Sequence, residues 1–182
     1  MKEMGVNMEI GEDYVTVSRT DNLKPVSVKT LGYPGFATDL QQPLTTLLTQ
    51  CSGVSKLEET IYENRFQNVE YLNLMGADIK INDRVIDVKG PSKLIANTVK
   101  ATDLRAGACL VLAALAAEGK TTITDASHVL RGYEKIVEKL QEIGVLLKID
   151  DYTHNVAKCD RCHTTIEPRI SDQWFVKMSE IA

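Results

Sequence analysis

The sequence predicts an α/β fold assembled from repeated units, each a βαβα module with a trailing hairpin, and three observations carry the prediction. Met4-Gly5-Val6-Asn7-Met8-Glu9-Ile10 recurs as Met75-Gly76-Ala77-Asp78-Ile79-Lys80-Ile81 and again as Ile143-Gly144-Val145-Leu146-Leu147-Lys148-Ile149, a repeat of roughly 65 to 70 residues. Thr38-Asp39-Leu40 is echoed by Thr102-Asp103-Leu104 in the same register, with Arg65 standing 26 residues after Asp39 and Arg131 standing 28 after Asp103. Between these marks, segments with helical apolar spacing alternate with short strand-like runs, the pattern of an α/β domain.

The elements follow in order. Each Met-Gly or Ile-Gly mark reads as a helix end, a glycine cap and an alternating strand. Leu40, Leu44, Leu47, Leu48 and Cys51 share one helical face that ends at Gly53, and the corresponding helix runs through Leu104, Ala108, Leu112 and Leu115 to Gly119. Short strands are expected around Val54 to Thr60 and Lys120 to Asp125. A second helix follows near Phe66 to Met75 in one unit and near Gly132 to Ile143 in the other, where Ile136, Val137 and Leu140 form the apolar stripe. Ile79 to Ile81 and Val85 to Val88, joined through Asn82-Asp83, read as a hairpin.

Composition narrows the function classes. A chain of 182 residues with 43% apolar content can bury a real core. Its net charge of −4 and the absence of any basic run argue against a binder of phosphate backbones. No stretch approaches the roughly 20 apolar residues of a membrane span, and the start has no apolar signal region, so a cytoplasmic protein is expected. Of four cysteines, Cys51 and Cys109 lie in apolar helical runs and read as core thiols, while Cys159 and Cys162 form a CxxC.

The candidate chemistry lies at the repeated polar marks. Thr38-Asp39 and Thr102-Asp103 occupy helix N-terminal positions, where capping alone would account for them. Arg105, however, sits just inside the second helix, where the dipole disfavours a cation unless an anion is near. Arg65 and Arg131 stand at equivalent repeat positions in turns before helices. Each alone reads as a solvated surface charge. Together they suggest an anion site flanked by carboxylates, because a guanidinium can hold phosphate or carboxylate with two parallel hydrogen bonds.

These residues also carry a family resemblance. Gly35-Phe36-Ala37-Thr38-Asp39, Glu63-Asn64-Arg65-Phe66, Ala101-Thr102-Asp103-Leu104-Arg105-Ala106 and Arg131-Gly132-Tyr133-Glu134 resemble, in order, the motifs of the UDP-N-acetylglucosamine enolpyruvyl transferases. The likeness covers residues 1 to about 144, which would form a partial domain of about two repeat units. It implies an inside-out α/β barrel with three units per domain, and transfer of the enolpyruvyl group of phosphoenolpyruvate to the 3-hydroxyl of UDP-N-acetylglucosamine in peptidoglycan synthesis, without a cofactor. Asp39 would be the candidate general base near that hydroxyl, with Asp103 beside it in the reacting region. Arg65, Arg105 and Arg131 would hold phosphoenolpyruvate, and Ile61 and Tyr62 would lie along the sugar nucleotide through backbone contacts. The sequence departs from the pattern at Ala37, where proline is usual, and at Leu130, where an acidic residue is expected. The family's lysine–asparagine pair and its reactive-cysteine loop have no counterpart here. The expectation is therefore a chain inactive by itself, with an apolar face left uncovered.

After Gly144 the pattern changes. Asp151-Tyr152-Thr153-His154-Asn155-Val156, Cys159-Asp160-Arg161-Cys162 and Ser171-Asp172-Gln173-Trp174-Phe175-Val176-Lys177-Met178 resemble an internal segment of valyl-tRNA synthetase, so residues 145–182 are expected to be a small irregular tail. That resemblance implies half of a zinc site at Cys159 and Cys162. Structural zinc takes four ligands, so His154 or His163 would have to help, and two free thiols are the plainer reading. Lys177-Met178-Ser179 is set aside as a synthetase signature because Glu180 replaces the second lysine, and no HIGH motif is present. Two other readings stay open: a synthetase-derived zinc or tRNA-interaction module, which the lack of a basic patch disfavours, and a chimeric fragment without function.

Overall fold

Two parallel βαβ units, one after the other, organise the computed structural model, which describes residues 1–150. In the first, β3 (Ser27–Lys29) leads through a short 3-10 turn at Thr38–Leu40 into α1 (Gln41–Leu48) and returns as β4 (Gly53–Glu58), parallel to β3. In the second, β7 (Thr98–Lys100), α3 (Leu104–Ala116) and β8 (Thr122–Thr124) do the same, with Thr98 opposite Thr122. Both units thus keep the strand, Thr-Asp, helix, strand order of the repeat.

A hairpin completes the first unit. α2 (Gln67–Leu74) ends at Gly76, whose φ of +95° is the left-handed cap that the repeat predicts, and the chain then forms β5 (Asp78–Asn82) and β6 (Val85–Gly90). Asn82 pairs with Val85, so the two-residue turn is Asp83-Arg84, one position later than the sequence reading, with Asp83 at φ +55°. β6 also pairs with β4, giving a four-stranded sheet in the order β3-β4-β6-β5. The first mark repeats the motif: a 3-10 turn at Lys2–Met4, Gly5 at φ +79°, then β1 (Asn7–Ile10) and β2 (Val15–Ser18). Among the described residues β1 and β2 pair only with each other, and Ile10, Val15 and Val17 stay exposed. At the third mark Gly144 is left-handed as expected, but no strand follows it among the described residues.

The core lies between the four-stranded sheet and the helices, within a unit spanning Met1–Lys148. Strand alternation sends Leu57, Ile79, Ile86 and Val88 inward to meet Leu72 and Met75. The helices correct two expectations. α1 does not bury the leucine face: Leu40 is exposed, Leu44 and Leu47 are half-buried, and Gln41, Gln42, Thr45 and Thr46 join Leu48 inside. Threonine is tolerated there because its hydroxyl finds a carbonyl at once, Thr45 donating to Gln41 O (2.9 Å) and Thr46 to Cys109 O (3.0 Å). In α3 the expected stripe is also turned outward, with Leu112 and Leu115 exposed and Ala106, Gly107, Cys109, Leu110 and Ala113 buried. This helix is apolar nearly all round, so size rather than polarity chooses its inner face. A Cβ on Gly107 would lie 2.2 Å from Val129 Cγ2, so only the small side can approach its neighbours so closely.

The helix expected over Gly132 to Ile143 starts later, as α5 (Ile136–Glu142), after Lys135 takes a left-handed φ of +51°, and a separate α4 (Ser127–Gly132) precedes it, so Arg131 stands on a helix rather than in the expected turn. Ile136, Val137 and Leu140 form the anticipated stripe on α5 but are only half-buried. Among the described residues no helix is long and apolar enough to cross a membrane. Cys159, Cys162, His154, His163 and the rest of the proposed tail beyond residue 150 lie outside the described residues.

Candidate functional site: an arginine pair on one carboxylate

Crossovers of parallel strands carry the chain back to the same edge each time, so loops after the carboxyl ends of β3, β4 and β7 gather in one place, the usual location of ligand sites in open α/β sheets. The loop after β3 brings Thr38 and Asp39, the loop after β4 brings Glu59 to Arg65, and the corner after β7 brings Asp103 and Arg105.

Two guanidinium groups meet there on one oxygen. Arg65 Nη2 donates to Asp39 Oδ1 at 2.9 Å, and Arg105 Nε donates to the same atom at 2.8 Å. Arg65 also donates from Nη1 to Thr38 Oγ1 at 2.7 Å, and its guanidinium lies over the Tyr62 ring, 4.5 Å from the centroid. The hydrogen-bonded Arg105 guanidinium holds the Asp39 carboxyl below its ordinary range, overcoming the effect of burial with help from Arg65. Asp39 is 61% exposed, so these pairs are screened and act to place the arginines more than to stabilise the fold.

The two Thr-Asp marks have diverged. Asp103 is the N-cap of α3, its Oδ1 accepting from the N–H groups of Arg105 (2.7 Å) and Ala106 (3.1 Å). Asp39 caps no helix among the described residues and serves as the ion-pair centre. Of the residues singled out in sequence, Asp39, Arg65, Arg105 and Tyr62 come together, and Asp103 joins them by fixing the first turn that bears Arg105. Arg131 makes its contact elsewhere, with Nη2 3.2 Å from His128 Nδ1 on α4. Ile61 and Tyr62 donate their backbone N–H groups to Glu59 Oε1, at 2.8 and 3.1 Å, while their side chains face outward.

Sequence reasoning missed Glu59, a carboxylate only 1% exposed. Strand alternation held the signal: Ser55, Leu57 and Glu59 are successive inward positions, so Glu59 continues the buried face of β4 past its end. Gln42 was missed too; its Nε2 donates to Arg65 O at 3.3 Å and ties that loop to α1. Cys109 belongs to the interior, where burial pushes its thiol up to about 11, too high for a reactive nucleophile. Among the described residues no group of side chains is arranged to hold a metal ion.

The geometry is that of an α/β domain built from repeats, with two arginines and a carboxylate gathered at its strand ends. The chain belongs to the EPSP synthase (3-phosphoshikimate 1-carboxyvinyltransferase) family, whose model matches residues 1–140. It is 54% identical over 147 residues, 81% of its length, to UDP-N-acetylglucosamine 1-carboxyvinyltransferase 2 of Geobacillus kaustophilus, of which it covers 34%. It is 51% identical over 144 residues, 79% of its length, to the protein of that name from Listeria monocytogenes, again covering 34% of it. Its structure is similar to that of the enolpyruvyl transferase NikO from Streptomyces tendae, with TM-score 0.73 and 36% identity over 79% of this chain and 33% of that one. EPSP synthase from Acinetobacter baumannii shares the fold, with TM-score 0.57 at 18% identity over 82% of this chain and 35% of that one. The chain thus spans about a third of the length of the curated relatives it matches.

Proposed function

We propose that residues 1 to about 144 are part of the substrate site of a UDP-N-acetylglucosamine enolpyruvyl transferase, the activity named for the relatives above. The observation that carries the reading is the convergence of Arg65 and Arg105 on Asp39 Oδ1 from two different repeats. Such a pair offers fixed cations to an anionic substrate, here the phosphate and carboxylate of phosphoenolpyruvate. The reaction adds the sugar 3-hydroxyl to C2 of the enolpyruvyl group and a proton to C3, and the tetrahedral adduct then loses phosphate and a C3 proton. Preorganised cations stabilise the charge of that adduct. Asp39 is a weak base while both guanidinium groups bind it; a substrate anion that draws them away frees it to take the hydroxyl proton. Asp103 keeps Arg105 at the helix start, Arg131 completes the anion site when ligand is present, and the exposed Ile61-Tyr62 turn meets the sugar nucleotide.

Chemical-shift mapping of the 182-residue chain with phosphoenolpyruvate and UDP-N-acetylglucosamine tests this. Shifts centred on Asp39, Arg65 and Arg105 are expected. A spectrum indifferent to both ligands sinks the reading. Turnover by the chain alone is not expected, and phosphate release from the two substrates would overturn that part.

We also read residues from about 147 to 182 as a valyl-tRNA synthetase-like segment, on the CxxC and the Trp174-Phe175-Val176-Lys177-Met178 run. Cys159 and Cys162 are proposed as free thiols, with a zinc half-site as the competing assignment. Zinc bound stoichiometrically at micromolar concentration would favour the half-site.

A further inference from the structure

We propose that Glu59 is a positioning residue that aims the Arg65 guanidinium, acting through the hydroxyl of Thr38 and the Ile61-Tyr62 turn. The inference rests on the reading of Arg65 as a substrate-anion ligand.

Glu59 is a carboxylate 1% exposed that makes no ion pair among the described residues. Neutral donors compensate its charge instead. Oε1 accepts from Thr30 Oγ1 (2.9 Å) and from the N–H groups of Ile61 (2.8 Å) and Tyr62 (3.1 Å), while Oε2 accepts from Thr38 Oγ1 (2.7 Å). Burial alone would raise its pKa, but these four hydrogen bonds outweigh burial and lower it, so the group is ionised near neutral pH.

An ionised carboxylate only accepts, and a threonine hydroxyl has one proton. Thr38 therefore gives that proton to Glu59 and turns its lone pairs toward Arg65 Nη1, 2.7 Å away. The chain of bonds has a fixed direction, from guanidinium to hydroxyl to carboxylate. Glu59 also holds the Tyr62 N–H, and the Tyr62 ring lies under the same guanidinium at 4.5 Å. One buried residue thus governs both the hydroxyl beside Arg65 and the ring beneath it, while Gln42 holds the Arg65 carbonyl. The guanidinium is left one orientation, with Nη1 on Thr38 and Nη2 on Asp39.

Glu59→Gln keeps the shape but replaces an acceptor with a donor. With the amide oxygen retained by the three donors at the Oε1 position, the new NH₂ faces Thr38, whose hydroxyl must then accept from it as well as from Arg65 and turn its proton elsewhere, so the carboxylate charge that polarised and aimed the Arg65 acceptor is lost. The test is made on the full chain, first without ligand, by following the Arg65 side-chain Nε–H resonance and the hydrogen exchange of the Ile61 and Tyr62 amides. Both are expected to change in Glu59→Gln, and the Arg65 resonance also in Thr38→Val, whereas Thr38→Ser, which keeps the hydroxyl, restores it. With phosphoenolpyruvate as the probe, both Glu59→Gln and Thr38→Val bind about tenfold more weakly than the parent, and their combination is no weaker than either alone. An unmoved Arg65 resonance in Thr38→Val overturns the proposal even if Glu59→Gln fails to fold. Because these spectra need no ligand, a parent chain that does not bind phosphoenolpyruvate defeats the functional reading while the positioning role is still decided.

Discussion

Arg105 Nε lies 2.8 Å from Asp39 Oδ1, a contact between residues 66 positions apart that joins the first turn of α3 to the 3-10 turn ahead of α1. It links the two βαβ units at their shared polar edge. Since Arg65 uses the same oxygen, Asp39 competes with any ligand anion for both cations.

That competition has a direct consequence for Asp39→Asn. Removing the carboxylate charge leaves Arg65 and Arg105 without their anion, so inorganic phosphate and phosphoenolpyruvate are expected to bind about threefold to tenfold more tightly. UDP-N-acetylglucosamine affinity should not rise with them. Titrations followed by NMR or calorimetry check both. Weaker phosphate binding in the variant would show that Asp39 supports the anion site rather than competing with it.

Asp103→Ala removes a cap that satisfies two N–H groups of α3. A loss of about 1 kcal/mol, within the usual span of roughly 0.5 to 2, is expected in urea denaturation. Anion affinity should fall as well, because the helix start that carries Arg105 frays. Asp103→Asn, which can still accept, should retain most of the stability.

Acid stability follows from Glu59. Its folded pKa is lowered, so the stabilisation is fully present above the ordinary carboxylate range near pH 4 and is lost as pH falls through the lower folded value. On the order of 1 to 3 kcal/mol is at stake for a buried, hydrogen-bonded carboxylate. Denaturation midpoints measured between pH 6 and 2 should decline more steeply below pH 4 in the parent than in Glu59→Gln, which has no proton to gain there. Parallel curves would contradict the assignment.

At Gly90 a Cβ would lie 2.4 Å from Thr49 O and 2.6 Å from Cys51 O, both backbone atoms that cannot swing aside. Gly90→Ala is therefore expected to cost about 1 to 3 kcal/mol or more by forcing β6 away from the end of α1. Thermal unfolding would register it. A fully stable variant would contradict this close packing.

Much of the architecture could be read from spacing alone. Recurrence marks Gly5, Gly76 and Gly144 as helix caps, and all three take left-handed conformations. The paired Thr-Asp marks located both βαβ units. Spacing could not say which Thr-Asp would cap a helix and which would hold arginines, because that depends on what the opposite loop presents. Nor could it orient α1 and α3. Leu112 and Leu115 are as apolar as Leu110, and only the close approach of neighbouring helices selects the side with Ala106, Cys109 and Ala113.

By itself, then, the amino-acid sequence determined the repeat, the α/β class, the turn glycines and the family motifs, all of which are local patterns set by backbone propensity and periodicity. The tertiary structure alone decided that Arg65 and Arg105 share one oxygen of Asp39, that α1 buries glutamines and threonines, and that Glu59 sits charged and hidden beneath the site. Those outcomes depend on parallel strands returning distant loops to one edge and on side-chain volumes where helices meet, neither of which is written in any short stretch of chain.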